Sequence, residues 1–79
     1  MTTQLVEVGE LLLCREMLAS GRGLEIVRRA GLPYTEIARA TGVSGPTAWS
    51  WFCQGRQPQR ATALRLVRLL VALEGALDV

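Results

Sequence analysis

Residues 34–52 decide the fold, and they read YTEIARATGVSGPTAWSWF. Gly42 divides this stretch into two short segments in which apolar residues recur at helical spacing. A glycine readily adopts the left-handed backbone that allows a chain to leave one helix and turn sharply. Ser44 is a favourable N-cap residue, and Pro46 would fall in the first turn of the next helix, where proline is tolerated. The stretch therefore predicts a helix over 34–41, a tight turn and a second helix.

The apolar residues on both sides of the turn have the sizes that two closely crossing helices require. Helices that cross at roughly 90–120° through a turn of three or four residues need a small residue at the crossing point. Ala38 meets this need, and Val43 is the apolar residue that would tuck beneath the pair. Ala48 and Trp51 are the inward positions of the second helix, and Ile37 completes the core side of the first. Together these residues fit a helix-turn-helix motif.

Glycine and proline also divide the rest of the chain into helical segments, and no stretch alternates between apolar and polar residues as a strand does. We predict further helices over 4–20, 24–30 and 61–76, which make an all-α fold of five helices. The segment Gly21-Arg22-Gly23 is expected to end the first helix. In that first helix, one apolar stripe is formed by Leu5, Val8, Leu12 and Ala19.

The charges are distributed unevenly along the chain, although the net charge is only +2. Residues 37–73 contain five arginines and no acidic residue, whereas residues 74–79 contain two acidic residues and no basic one. Such a basic stretch would attract a polyanion such as a nucleic acid. A solvated basic face without a ligand explains the charge pattern equally well, so charge alone does not identify the partner.

The cysteine and histidine content argues against several classes of function. The chain has two cysteines, Cys14 and Cys53, and no histidine, so it lacks the four ligands of a typical structural zinc site. Without histidine we find no nucleophile–base pair, and we expect no enzyme, metal, cofactor or small-molecule ligand. No secretory signal and no apolar run of about 20 residues occurs. We therefore expect a cytoplasmic protein with reduced cysteines, in a bacterial or phage-infected cell.

The stretch GLPYTEIARATGVS, residues 31–44, resembles the lambda-repressor/Cro family, or XRE-type helix-turn-helix proteins, whose usual pattern is G-L-S-Q-x-E-L-A-x-x-x-G-V-S. The residues that close the recognition helix of that family are matched by Trp51, Phe52 and Gly55. The resemblance implies a five-helix, lambda-repressor-like DNA-binding domain that occupies the whole chain, 1–79. Its helix-turn-helix core would span 24–73, with residues 4–20 as an added N-terminal helix.

The resemblance also implies a function and the side chains that perform it. A small Cro-like or phage-repressor-like regulator places its recognition helix in the major groove of double-stranded DNA and occludes an operator. The candidates for base contacts are Ser44, Gly45, Thr47, Trp49 and Ser50. The candidates for phosphate contacts are Tyr34, Thr35, Arg39, Gln54, Arg56, Gln57 and Arg60. This recognition face departs from the family because it lacks the Gln or Arg side chains that usually make bidentate base contacts.

The two terminal helices carry more apolar residues than one contact face needs. Because such proteins usually read two half-sites as a symmetric dimer, we expect a homodimer through the N-terminal helix, the C-terminal helix or both. The alternative is a single compact core that absorbs all of these residues. Two other functions remain open, namely a protein-interaction module with this fold and an accessory factor in excision or recombination.

Overall fold

The computed structural model describes residues 2–78, which form five α-helices and, within that range, no strand. The helices are α1 (Thr2–Ala19), α2 (Arg22–Ala30), α3 (Tyr34–Thr41), α4 (Gly45–Cys53) and α5 (Arg60–Leu77). The prediction of an all-α fold with five helices is confirmed. The bounds of α3 are the predicted ones, and α5 begins one residue before its predicted start.

The last helix, α5, lies at the centre of the molecule. Helices α1, α2 and α3 all pack against it, whereas α4 packs mainly against α3. Its buried residues Leu66 and Leu70 belong to one core cluster with Met17, Ile37 and Trp51. Helices α3 and α4 therefore form a pair that rests on the other three helices through a shared apolar interior, and this leaves the outer side of α4 free.

The connection between α1 and α2 differs from the prediction. Ser20 and Gly21 separate the two helices, with φ of Gly21 at +82°, and Arg22 and Gly23 already belong to the first turn of α2. Gly23 is buried because α2 approaches its neighbours closely there. A Cβ at this position would lie 3.3 Å from Cδ1 of Leu70 and 3.4 Å from Cε1 of Phe52. The second glycine thus serves packing and does not end a helix.

The orientation of α1 could not be read from its apolar pattern. The stripe that the sequence singles out, Leu5, Val8, Leu12 and Ala19, faces away from the core and is exposed. The inward face carries Cys14 and Met17, which are buried, and Leu11 and Leu18, which pack against the core cluster. Because α1 is apolar on several sides, the tertiary contacts with α5 decide which side is covered.

Candidate nucleic-acid interface

The turn between α3 and α4 has the geometry that the sequence predicts. Gly42 adopts a left-handed backbone with φ at +80°. The carbonyl oxygen of Ala38 accepts hydrogen bonds from the N–H groups of Gly42, at 2.8 Å, and Val43, at 3.0 Å. The four predicted inward residues are all buried, namely Ile37, Ala38, Ala48 and Trp51. The two helices therefore cross around a small, buried apolar contact, as a helix-turn-helix motif requires.

The C-terminal end of α3 is fixed by two polar side chains. The buried hydroxyl of Thr41 donates a hydrogen bond to the carbonyl oxygen of Ile37 at 2.7 Å. The guanidinium group of Arg65 on α5 donates to the carbonyl oxygen of Thr41 at 3.4 Å. A cation at a helix C-terminus interacts favourably with the helix dipole. Arg65 thus has a structural role at the turn, next to Gly42.

The N-terminus of α4 is capped from within the motif. The hydroxyl oxygen of Ser44 accepts a hydrogen bond from the backbone N–H of Thr47 at 3.3 Å, which confirms Ser44 as the N-cap. The hydroxyl oxygens of Ser44 and Thr47 also lie 2.8 Å apart, and both side chains are exposed. Gly45 lies beside the start of α3, because a Cβ there would be 3.8 Å from Cγ2 of Thr35. The N-termini of α3 and α4 therefore meet on one side of the protein.

The outer side of α4 presents fewer candidate base contacts than the sequence suggests. Trp49 is 42% exposed, and Cys53 at the end of the helix is also exposed. Ser50 is only 7% exposed, and its hydroxyl donates a hydrogen bond to the carbonyl oxygen of Thr47 at 2.6 Å. An internal hydroxyl that is already bonded does not reach a base edge. The outer side is thus formed by Pro46, Thr47, Trp49 and Cys53.

A cluster at the start of α3 joins α3 to the end of α4. The hydroxyl of Tyr34 lies 3.6 Å from Sγ of Cys53, and its ring centroid lies 5.8 Å from that of Phe52. The pKa of Tyr34 is raised, mainly by the hydrogen bond with Cys53 and then by burial, while the positive charge of Arg28 lowers it. Arg28 in the last turn of α2 therefore lies near this cluster. Arg28 is not among the residues that the sequence analysis selects, although its position just before the Gly31 turn, which leads into α3, could have indicated it.

The arginines among the phosphate candidates have different surroundings. Arg39 pairs with Glu36 at 3.5 Å on the same helix, and Arg60 pairs with Glu7 of α1 at 3.2 Å. Arg56 is exposed, and no acidic side chain among residues 2–78 forms an ion pair with it. Arg56 is therefore free to bind an anion, whereas Arg39 and Arg60 must first leave their partners.

The loop after α4 brings the remaining candidates toward the motif. Gly55 has φ at +70°, and the N–H of Arg56 donates to the carbonyl oxygen of Ser50 at 3.2 Å, so the loop folds back on the helix. An open cavity of about 360 Å³ lies between this loop and the start of α4. Its polar lining comes from Ser44, Thr47, Gln57, Gln59 and Thr62. Candidates for base contacts and for phosphate contacts thus lie around one depression.

A family model described as a helix-turn-helix domain matches residues 21–78. The chain belongs to this helix-turn-helix family. The match agrees with the resemblance to the lambda-repressor/Cro proteins, and it identifies α3 and α4 as part of a DNA-binding module. Comparison with curated proteins and with solved structures gives no match.

The matched region begins at Gly21, so α1 precedes it. Within residues 2–78, no helix combines the length and the hydropathy that crossing a membrane would require. Over the same residues, no cluster of acidic residues and cysteines has the arrangement of a metal site. Chemically, the exposed groups around α4 are hydroxyls, amides, an indole and guanidinium groups, which can bind bases and phosphates.

Proposed function

We propose that this protein is a sequence-specific transcriptional regulator that inserts α4 into the major groove of double-stranded DNA and occludes an operator. The observation that carries the proposal is the meeting of the N-termini of α3 and α4, where Thr35 lies beside Gly45, next to an outer face that no other helix within residues 2–78 covers. Helix N-termini attract phosphates, and an uncovered helix can enter the groove.

Base contacts in this proposal come from Ser44, Thr47 and Trp49. The hydroxyls of Ser44 and Thr47 are bonded to each other and can exchange that bond for one to a base edge. The exposed indole of Trp49 suits an apolar contact with a thymine methyl group. Gly45 allows the backbone to approach the groove closely. Ser50 is left out, because its hydroxyl is internal.

Phosphate contacts flank this face on two sides. Tyr34, Thr35 and Arg28 lie at or near the start of α3, and the loop after α4 supplies further contacts from Gln54, Arg56 and Gln57. Arg39 and Arg60 can join them after leaving Glu36 and Glu7, at a small cost because exposed ion pairs contribute only about 0–1 kcal/mol. These contacts position the protein, and the α4 face reads the sequence.

A salt titration tests this proposal. Duplexes selected from a random pool should bind more tightly than their scrambled versions, and affinity should fall steeply as salt rises. Arg56→Ala should weaken binding to both duplexes alike and lower the slope of log K against log salt by about 0.9. Arg29→Ala, which removes an exposed charge from α2, is the matched control and should change the slope little. Thr47→Val should change the preference among sequences.

Absence of binding to any duplex at low salt would refute this function. One observation would then favour a protein-interaction module with the same fold, because α4 lacks long polar side chains on its outer face and exposes Trp49. An accessory role in excision would keep the DNA contacts and fail only in a promoter-repression assay. Repression of a promoter that carries the selected sequence therefore completes the test.

The DNA-binding form in this proposal is a homodimer, because two half-sites on a duplex match a protein two-fold axis. The apolar residues left exposed on α1, together with Val71 on α5, are the surfaces available for such a contact. Binding to one half-site alone should accordingly be weaker than binding to the pair.

A further inference from the structure

The N-terminal half of α1 directs its two acidic residues toward α5 and exposes an apolar stripe on the opposite side. Glu10 accepts two hydrogen bonds from the guanidinium group of Arg68, at 2.8 and 3.0 Å, and Glu7 pairs with Arg60, so both acids face α5. The exposed fractions on the opposite side are 74% for Leu5, 48% for Val8 and 59% for Leu12. A helix that completes its contacts within one chain shows the reverse pattern.

Gly9 stands in the middle of α1, and the single chain gives no reason for a glycine there. A Cβ at this position would meet no atom within 4 Å, and its backbone is not in the left-handed region. Glycine inside a helix destabilises it relative to alanine. A missing side chain next to exposed leucines and a valine allows another helix to approach the backbone of α1 closely.

A groove between α1 and α5 extends this surface. It has a volume of about 360 Å³, and its apolar lining comes from Leu13, Val67, Val71 and Ala72. Val71 is exposed, although it is a large aliphatic residue. A stable interface covers about 800 Å² on each partner. The groove, which Glu10 and Arg68 also line, lies beside the exposed stripe, so that Val71 and Ala72 can add to the area that a partner covers.

We propose that a second copy of this chain covers this surface, with the two α1 helices antiparallel across a two-fold axis between Val8 and Gly9. Leu5 of each copy then lies against Leu12 of the other, and Val8 fits over Gly9. The inference deepens the proposed function and rests on it for the biological role of the dimer. The match to the helix-turn-helix family begins at Gly21, so this interface is formed by a helix that precedes the matched domain.

Charge favours a second copy in this orientation. The outer stripe from Leu5 to Leu12 has no charged side chain, so it can face itself without repulsion, and it has no basic cluster that would favour an anionic membrane. The charged pair on the outer part of α1, Arg15 and Glu16, lies in its C-terminal half. Parallel helices would bring like charges together, whereas antiparallel helices separate them and also oppose their dipoles.

Analytical ultracentrifugation of the full chain tests the proposal. At micromolar concentration we expect a mass twice the 8.6 kDa of one chain. Leu12→Lys, and separately Leu5→Lys, should raise the dimer dissociation constant by at least about a hundredfold, because each substitution places two lysines in the interface, one from each copy. Ala76→Lys is the matched control, an exposed alanine of α5 that does not line the groove, and should leave the dimer unchanged.

Gly9→Ala distinguishes an effect on the dimer interface from an effect on the stability of the single chain. In the Leu12→Lys background it should raise the midpoint of thermal unfolding, because alanine favours the helix and meets nothing within the chain. In the native background it should raise the dimer dissociation constant by at least about tenfold, because the added methyl group meets Val8 of the other copy. An unchanged dissociation constant with a raised midpoint would overturn the axis at Gly9.

The other outcomes separate this inference from the proposed function. A mass of one chain at high concentration, or a dimer that persists in both lysine variants, overturns the interface whatever the DNA result is. A dimer that dissociates as expected, in a protein that binds no duplex, supports the interface and refutes the DNA function. If both hold, Leu12→Lys should still bind a single half-site with a salt dependence like that of the native chain and lose the added affinity for paired half-sites.

Discussion

Replacing Gly42 by alanine tests the turn on which the helix-turn-helix motif depends. Its φ of +80° lies in the left-handed region, where a residue with a Cβ is less stable by roughly 1–2 kcal/mol. The new Cβ would also lie 3.2 Å from Nη1 of Arg65. Arg65 can move, but it would then weaken its bond to the carbonyl oxygen of Thr41, a long bond that contributes at most about 0.5 kcal/mol.

The two effects together lower the free energy of unfolding by about 2 kcal/mol. For a domain of this size, such a loss lowers the midpoint of thermal unfolding by roughly 8–16 °C. Gly55→Ala is the matched control, because its φ is +70° and a Cβ there would meet nothing within 4 Å. It should lose the backbone contribution alone, so its midpoint should fall less than that of Gly42→Ala.

Thermal unfolding followed by circular dichroism at one fixed protein concentration measures both variants, and urea unfolding gives the free energies. A fixed concentration is needed because dimerisation would make the midpoint depend on it. Equal losses for Gly42→Ala and Gly55→Ala would show that the contact with Arg65 adds nothing. A Gly42→Ala variant as stable as the native chain would refute the reasoning about the turn itself.

Three further predictions concern charged and titratable side chains. Glu7→Gln should release Arg60 for a phosphate, which raises DNA affinity by up to about fivefold and steepens the salt dependence; unchanged binding would show that Arg60 makes no phosphate contact. Cys53 is exposed and Cys14 is buried with a raised pKa, so a thiol reagent should modify one cysteine per chain quickly, and equal rates would contradict this arrangement. Tyr34 should ionise above its ordinary pKa in an absorbance titration, and Cys53→Ala should bring the pKa down. Since the folded chain holds the phenolic proton of Tyr34 more tightly than the unfolded chain does, the stability that this proton contributes is lost as pH rises through the raised pKa. A pKa of Tyr34 that Cys53→Ala leaves unchanged would argue against the hydrogen bond.

The helix-turn-helix motif could be predicted from the sequence because its requirements are local. Gly42 must turn, Ala38 must be small, and Ala48 and Trp51 must be apolar at positions three apart. Each requirement depends on spacing along one or two helices, and the structure meets all of them. The N-cap Ser44 belongs to the same group, since a cap bonds only to the next turn.

The features that sequence reasoning missed depend on contacts between distant elements. The apolar stripe of α1 faces outward because Cys14 and Met17 on its other side pack into the core, where Glu7 and Glu10 also meet arginines more than fifty residues away. The packing role of Gly23 depends on Phe52 and Leu70, which no spacing rule connects to it. Ser50 is a different case, because its hydroxyl bonds within its own helix and a serine pattern does not reveal which way it turns.

The residues of α4 that support the fold differ from those that face outward, and this difference determines which of them can be exchanged. Ala48 and Trp51 support the fold, and Ser50 is turned inward with them, whereas Thr47 and Trp49 make no contribution to the core cluster. Under the proposed DNA function, exchanging the latter two for glutamine or arginine would change which bases are read and would leave the core cluster intact. Under the same proposal, new operators are accessible through single substitutions outside the core, and a library randomised at these two positions should consist mostly of folded proteins.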